Sequence, residues 1–462
     1  MPEDEPRTLT ELRAKALERH KAGALDEARA LYGRYLALRP DDGTMWSNVG
    51  ALLRSAGQHR IARHAQRRAA ALEPGSRAVR NNLANILADL GENEEALALR
   101  RAHLAEVPDD AQIKAMVGKS LRSLGRYDES ITWLTDARAA HPDFIEIGLQ
   151  LALSQLAKGD YARGFRTYDI RWQSDELTPR RIGKPKWDFG PLDGQRILVL
   201  PEQGFGDGIA FARFLPVLRR FNPASVIYYC EKPVARLYDG IDGADVTTPA
   251  MPDEAEFDVW VNLMDLAAVH FEASDDVPPP AALATPQDSI ERVAPLLKSH
   301  ADRFRVGVVW TGSMTYRGNA FRSFSHTEFL ALTDVPDVQL FSLYKGPGVQ
   351  AFHADGSSIA IVDLGSTDRD FGDCAAAMEG MDLIITSDTA TAHLAGSLGR
   401  PVWTLLHSDP FWLWQHEGQR TPWYPTMRLF RQTAPGDWAG VFHRVEGRLR
   451  AEVDRWRKER AA

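Results

Sequence analysis

Asn81-Asn82-Leu83-Ala84-Asn85-Ile86-Leu87-Ala88-Asp89-Leu90-Gly91-Glu92-Asn93-Glu94-Glu95-Ala96 reads as a helix, a glycine turn and the opening of a second helix. Leu83, Ile86, Leu87 and Leu90 share one helical face, and Gly91 suits the left-handed turn with which helices commonly end. The arrangement recurs along the chain. Gly23, Gly57, Gly91, Gly125 and Gly159 are spaced by 34 residues, as are Pro40, Pro74, Pro108 and Pro142. A third series, Ala28, Ala62, Ala96, Ser130 and Gly164, puts a small residue where paired helices must approach closely. One such pair cannot bury its apolar face alone, so neighbours must stack into a superhelix. The period predicts about five repeats over residues 8–177.

The chain has 462 residues, too many for one core. Its 44% hydrophobic and 26% charged residues describe an ordinary globular protein, and a formal charge of −8 argues against a nucleic-acid partner. Cys230 and Cys374 make no disulfide or metal pattern and fit a reducing compartment. The opening Met1–Thr8 is too acidic for a signal peptide, and no apolar run is long enough for an integral membrane segment. A cytoplasmic location is the expectation.

Trp46, Gly50, Gly57, Ala62, Ala69 and Pro74 stand at marker positions, so the array resembles tetratricopeptide repeats and is expected to hold another polypeptide. The first helix of each repeat forms the concave wall. Asn48 and Asn82 are equivalent there, Gln150 follows two repeats on, and Met116 breaks the row. A side-chain amide offers one donor and one acceptor to a peptide backbone, so such a row can grip an extended chain. The stretch Asn81–Ile86 resembles the asparagine ladder of nucleocytoplasmic O-linked N-acetylglucosamine transferases, which brings Asn85 into the set. The alternative is that asparagine is simply common at this helix position.

Beyond the array the period stops. Thr178–Gly194, rich in Pro, Gly and Lys, reads as a linker. Short apolar strands then alternate with helices: 196–200, 225–230, 258–262, 305–310, 339–343, 359–363, 382–386 and 402–406. Such alternation implies parallel sheets covered on both faces. A proline- and alanine-rich break at Val277–Pro286 divides it into two Rossmann-like halves, 195–290 and 300–435, followed by a helix over 436–462. The expected fold class is therefore an all-α superhelix followed by two α/β domains facing each other across a cleft.

Two strand-to-helix turns carry the chemistry. Glu202-Gln203-Gly204-Phe205-Gly206-Asp207-Gly208 lets backbone amides approach a ligand, with Gly206 at its centre. Its third glycine falls one residue early for a dinucleotide fingerprint, and no Walker lysine is present. Ser387-Asp388-Thr389-Ala390-Thr391-Ala392-His393 also opens a helix, which Ser387 or Asp388 would cap. Its amides, the Thr389 and Thr391 hydroxyls and the helix dipole suit a diphosphate, while Asp388 could accept from sugar hydroxyls. A nucleotide leaving group also needs positive charge. Thr311, Arg317, Arg322 and Lys345 lie at the ends of strands where ligands bind in such folds.

The Gly-Asp-x-Ile loop, Leu215-Pro216, Asp388-Thr389 and His393-Leu394 resemble the ADP-heptose:lipopolysaccharide heptosyltransferases, inverting glycosyltransferases of GT-B fold. The whole layout, including the run Thr421–Gln432, resembles bacterial tetratricopeptide proteins with a fused domain of this kind, some of which modify flagellins. The resemblance implies Asp207 as general base with Glu202 as the runner-up, a donor-binding role for His393, a nucleotide-sugar as co-substrate and no metal or other cofactor. Ala390 stands where heptosyltransferases usually have glycine, and their lysine-tryptophan-proline stretch is missing, so the resemblance does not name heptose. Each residue also has a plainer reading: Asp207 as a helix cap, Glu202, Arg322 and Lys345 as surface charges, His393 as a core histidine. Phe411, Trp412, Trp414, Trp423 and Tyr424 read more readily as interdomain core than as a sugar platform. Asp368-Arg369-Asp370 has the spacing of a metal-binding aspartate pair but reads as a solvated loop. The functional alternatives are transfer to a polypeptide, transfer to a lipopolysaccharide or other saccharide, and an inactive scaffold.

Overall fold

The structure is a computed structural model that describes residues 8–174, 177–202, 204–316 and 318–461; Met1–Arg7, Gln203 and Arg317 lie outside the described residues. Two compact units make up the chain, 1–158 and 159–462.

The first unit is a stack of helix pairs: α1 (Leu9–Lys21) with α2 (Leu25–Leu38), α3 (Gly43–Ser55) with α4 (His59–Leu72), α5 (Arg77–Asp89) with α6 (Asn93–Glu106), and α7 (Ala111–Ser123) with α8 (Tyr127–Ala140). It ends with α9 (Ile145–Lys158). All five periodic glycines have positive φ, between 72° and 88°. The residue after the glycine donates back to a carbonyl five residues earlier, as in Gln58 N–H to Leu53 O (2.8 Å) and Glu92 N–H to Leu87 O (2.8 Å), which closes a Schellman motif. A further periodic series went unread. Thr8, Asp42, Ser76 and Asp110 are also 34 residues apart, and each side chain accepts from the third amide of the helix it opens. Ala28, Ala62, Ala96 and Ser130 are fully buried, as close helix approach demands.

The second unit starts with α10 (Tyr161–Tyr168), the partner helix of the fifth repeat by sequence. Its N-terminal half then contains β1 (Arg196–Leu200), α11 (Phe205–Phe211), β2 (Ser225–Tyr229), β3 (Val246–Thr248), β4 (Val259–Asn262) and α12 (Asp265–Phe271). The C-terminal half runs α13 (Gln287–Lys298), β5 (Phe304–Val309), α14 (Asn319–Arg322), β6 (Val338–Ser342), α15 (Val349–Ala354), α16 (Ser357–Ala360) and β7 (Ile361–Asp363). It continues through α17 (Phe371–Glu379), β8 (Leu383–Ser387), α18 (Ala390–Ser397), β9 (Val402–Leu406), β10 (Met427–Arg431) and α19 (Trp438–Ala461). Both sheets are parallel, in the orders β3-β2-β1-β4 and β10-β9-β8-β5-β6-β7. Each order reverses beside the first strand of its sheet, at β1/β4 and at β5/β8, where α/β folds open a crevice for ligands.

Every expected strand is present with its ends shifted by two residues or fewer; β3 and β10 were not foreseen. β3 is short and polar at a sheet edge, and β10 is interrupted by Arg428 and Arg431, so neither has the apolar run of a buried strand. Thr178–Gly194 is ordered: Trp187 is buried, its N–H donates to Trp260 O (2.8 Å) and Trp260 N–H donates to Pro185 O (3.2 Å), which lays the segment along β4. The cap of α18 is Thr389, because β8 continues through Ser387.

Aromatic rings join α10 to both halves. Phe165 stacks on Phe271 of α12 (5.6 Å, 3°) and meets Phe211 of α11 and Trp412 edge-on (5.8 and 5.7 Å). Tyr161 OH accepts from Trp423 Nε1–H at 3.1 Å. Trp412, Trp414, Trp423 and Tyr424 are all buried, so this cluster is interdomain core. Phe165→Ala should destabilise the second unit by about 3–5 kcal/mol, read as a lower denaturation midpoint of that transition.

Candidate functional site

The crevice between β5 and β8 gathers most of the expected donor-side residues. Thr311 and Gly312 follow β5, Asn319 and Arg322 come from α14, and Asp388 and Thr389 follow β8. A Cβ on Gly312 would meet Thr389 Cγ2 at 2.8 Å, Arg322 Nη2 at 2.9 Å and Asn319 Oδ1 at 3.3 Å, so only glycine lets these groups converge. Asn319, which the sequence reading missed, organises the crevice. Its Oδ1 accepts from Gly312 N–H (3.2 Å) and Arg322 Nε (3.3 Å), and its Nδ2 donates to Thr311 Oγ1 (2.9 Å). The Arg322 guanidinium lies over the Tyr316 ring (4.4 Å) and forms no ion pair among the described residues. Its field nonetheless acts on Asp207, Asp388, His393 and His407.

Asp207 reaches this crevice from the other half. Gly206 packs directly on the first turn of α18, where an added Cβ would stand 3.0 Å from His393 Cδ2 and 3.2 Å from Ala390 Cα. Its lack of a side chain therefore serves the approach of the two halves. Asp207 is the third residue of α11 rather than its cap, and its Oδ2 accepts from Gly204 N–H at 3.1 Å. By accessible surface the residue is half-buried, yet dense protein surrounds its carboxyl. Desolvation pushes its pKa up to about 6; the Glu202 and Asp388 charges add to this, while the Gly204 bond and Arg322 oppose it. Asp388 is buried, and burial raises its carboxyl too, against the opposing pull of Arg322 and the Trp414 indole. The buried Ser387 Oγ has no hydrogen-bond partner among the described residues.

His393 is buried, with Trp414 stacked on its ring (5.3 Å, 21°) and Nδ1 3.0 Å from Tyr424 OH. Burial, with Arg213 and Arg322 nearby, drives its pKa down to about 3, so the ring is neutral. Arg213, also missed from sequence, is buried without a carboxylate: it donates to Ala210 O, Pro278 O and Trp423 O and lies over the Trp423 and Tyr424 rings. His407, at the end of β9, is a third residue that the sequence reading passed over; burial lowers its pKa. A histidine directly after a strand on the cleft side was the available signal.

Several expected residues lie elsewhere. Thr391 points inward, its hydroxyl 2.9 Å from Thr386 Oγ1 and 2.5 Å from Thr389 Oγ1, so the Thr389 and Thr391 hydroxyls are engaged with each other. Lys345 is exposed and donates to Asp368 O. Glu202 is a buried ion-pair member rather than a surface residue or a free base, with Arg171 donating to both its oxygens (3.0 and 2.8 Å). The loop 368–370 is only partly solvated: Arg369 is exposed, but Asp368 is buried and pushed up to about 7, while Asp370 caps α17 and pairs with Arg236. In the repeats, Asn48 has only a weak contact to Met45 Sδ (4.0 Å), and Asn82 donates to Ser47 Oγ (3.1 Å). Asn85 accepts from Arg100 (3.3 Å). Gln150 is buried with Oε1 held by Arg122 and Nε2 by Glu146, so it does not continue the row.

The fold is a helical repeat array followed by a parallel-sheet α/β region, and comparison with known proteins agrees on the repeats. Residues 5–168 match the tetratricopeptide repeat family. Protein FlbA of Caulobacter vibrioides is 26% identical over 64% of this chain and 53% of its own, so the chain spans about half the length of that relative. Among solved structures, a MamA fragment from Desulfovibrio magneticus is 17% identical (TM-score 0.34), covering 37% of this chain and 99% of that one. A tetratricopeptide repeat protein from Parabacteroides merdae is 19% identical (TM-score 0.33), covering 36% of this chain and 67% of that one. No described helix is long and apolar enough to cross a membrane.

Gly206→Ala should push the loop away from α18. Faster amide exchange across Ala390–His393 with unchanged circular dichroism is the expected result, since the clash is with backbone as well as a ring.

Proposed function

We propose that the second unit is a glycosyltransferase that moves a sugar from a nucleotide-sugar to a polypeptide held by the repeats. The supporting observation is that Gly206, next to Asp207 on one half, packs on the first turn of α18 in the other, within the electrostatic reach of Asp388 and Arg322 on Asp207. In this reading Asp207 takes the proton of an acceptor hydroxyl as its oxygen attacks the anomeric carbon. The carbon–oxygen bond to the diphosphate breaks on the opposite face, which inverts the anomeric centre. Arg322 and the N-terminus of α18 meet the charge that develops on the departing diphosphate. Asp388 and the unpartnered Ser387 Oγ are suited to sugar hydroxyls. The neutral His393 can donate or accept without adding charge. Asn48 and the free carbonyl of Asn82 leave two places on the concave wall for an acceptor backbone.

Thermal unfolding in the presence of UDP, ADP, GDP, CMP and TDP tests the donor site. One of them should raise the melting temperature through ligand linkage, and Arg322→Ala should abolish that shift. No shift with any nucleotide would favour the scaffold reading. Asp207→Asn should keep the shift while lowering turnover by about 10²–10⁴-fold. In the wild type, the rate should fall about tenfold per pH unit below about 6, because protonation of Asp207 removes the base. Asp207→Asn should also melt above the wild type at pH 8. A carboxyl raised by burial favours the folded state only while protonated, and at pH 8 it is a buried charge facing Glu202 and Asp388.

A further inference from the structure

The switch point of the N-terminal half, at the C-terminal ends of the neighbouring strands β1 and β4, is filled by the chain itself. Arg171 enters it from the 3₁₀ turn Asp169–Gln173, directly after α10, and its side chain is 5% exposed. Nε donates to Glu202 Oε2 (3.0 Å), and Nη2 donates to Glu202 Oε1 (2.8 Å) and Asp265 Oδ1 (2.6 Å). Nη1 donates to Tyr168 O (3.1 Å). Lys186 completes the group at 2.9 Å from Asp265 Oδ2, and it also lies 3.5 Å from the more exposed Asp169 Oδ1. Glu202 leaves β1 two residues before Gly204, the residue whose N–H holds Asp207, and Asp265 opens α12 after β4. One guanidinium therefore spans the ends of both strands, bound to a residue two positions before the turn that holds Asp207.

We propose that Arg171 is a positioning residue for Asp207: by clamping Glu202 and Asp265 across the β1/β4 crevice, it fixes the point from which the Gly204–Asp207 turn departs. The segment that follows the last repeat helix is thereby part of the transfer site, and Glu202 acts through its place in the clamp rather than as a base. A bidentate fork holds a carboxylate in one plane, which a lysine ammonium cannot do. The kinetic consequence rests on the transferase reading; the geometric one does not.

The test uses the full chain with Arg171→Lys and the double variant Arg171→Met/Glu202→Met. The double variant removes both buried charges of one pair and leaves Asp265 with Lys186, an exchange such pairs commonly tolerate. Amide exchange across Gly204–Ile209 should rise about tenfold in the double variant and about threefold in Arg171→Lys, with the β5–β10 sheet unchanged. Stabilisation by the nucleotide that binds the wild type should persist, and kcat should fall with the donor KM within twofold. Wild-type exchange at 204–209 in Arg171→Lys, or a rise spread equally over both sheets, would overturn the proposal. Should the wild type transfer no sugar, the transferase reading fails, while the exchange result still decides whether Arg171 positions the turn.

Discussion

The second unit depends on the burial of one face of α10. Tyr161 and Phe165 offer rings to Phe271 and Phe211 on the N-terminal half and to Trp412 and Trp423 on the C-terminal half. Aromatic side chains bury more area than any others, and their edge-to-face contacts fix orientation as well as distance. With that wedge in place, α11 lies against α18 and Gly206 can settle on Ala390. A looser interface would leave Asp207 in solvent with an ordinary carboxylate's basicity.

The charges around the crevice follow from this closure. Asp207, Asp388, His393 and His407 are each moved from their usual range, and in each case burial is the largest cause. Two carboxyls go up and two imidazoles go down, so burial moves each of these groups toward its neutral form, while the Arg322 field opposes the shift of the two carboxyls. An unpaired cation in such surroundings attracts an anion far more strongly than one in water. The ion pairs nearby hold architecture: Arg171 with Glu202 and Asp265, and Arg236 with Asp370 and Asp288.

Much of the fold was legible because it rests on local rules. Gly57 and Gly91 announce left-handed turns, and Arg196–Leu200 and Val402–Leu406 announce buried parallel strands by unbroken apolar runs. The elements that were missed lacked such a signal. β3 is three residues of mixed character, and β10 breaks its apolar residues with Arg428 and Arg431. Around the crevice, motif position singled out Asp207, Asp388, Thr389 and Arg322 as candidates. It could not show that Thr391 turns inward, that Lys345 is engaged by a carbonyl, or that Asn319 holds Gly312 and Arg322 together. Those outcomes depend on side-chain direction and on residues far away in the chain.

The sequence by itself determined the 34-residue helical period, the parallel α/β character of the chain beyond the repeats, and the two strand-to-helix turns, because each is set by spacing and by residues with special backbone freedom. Only the tertiary structure decided that α10 belongs with the α/β unit, that Glu202 is clamped by Arg171, and that Gly206, beside Asp207, packs on Ala390. The physical reason is that desolvation and ion pairing arise between segments that no local pattern connects. Arg171 and Asp265 stand 94 positions apart, and packing alone brings them within a hydrogen bond.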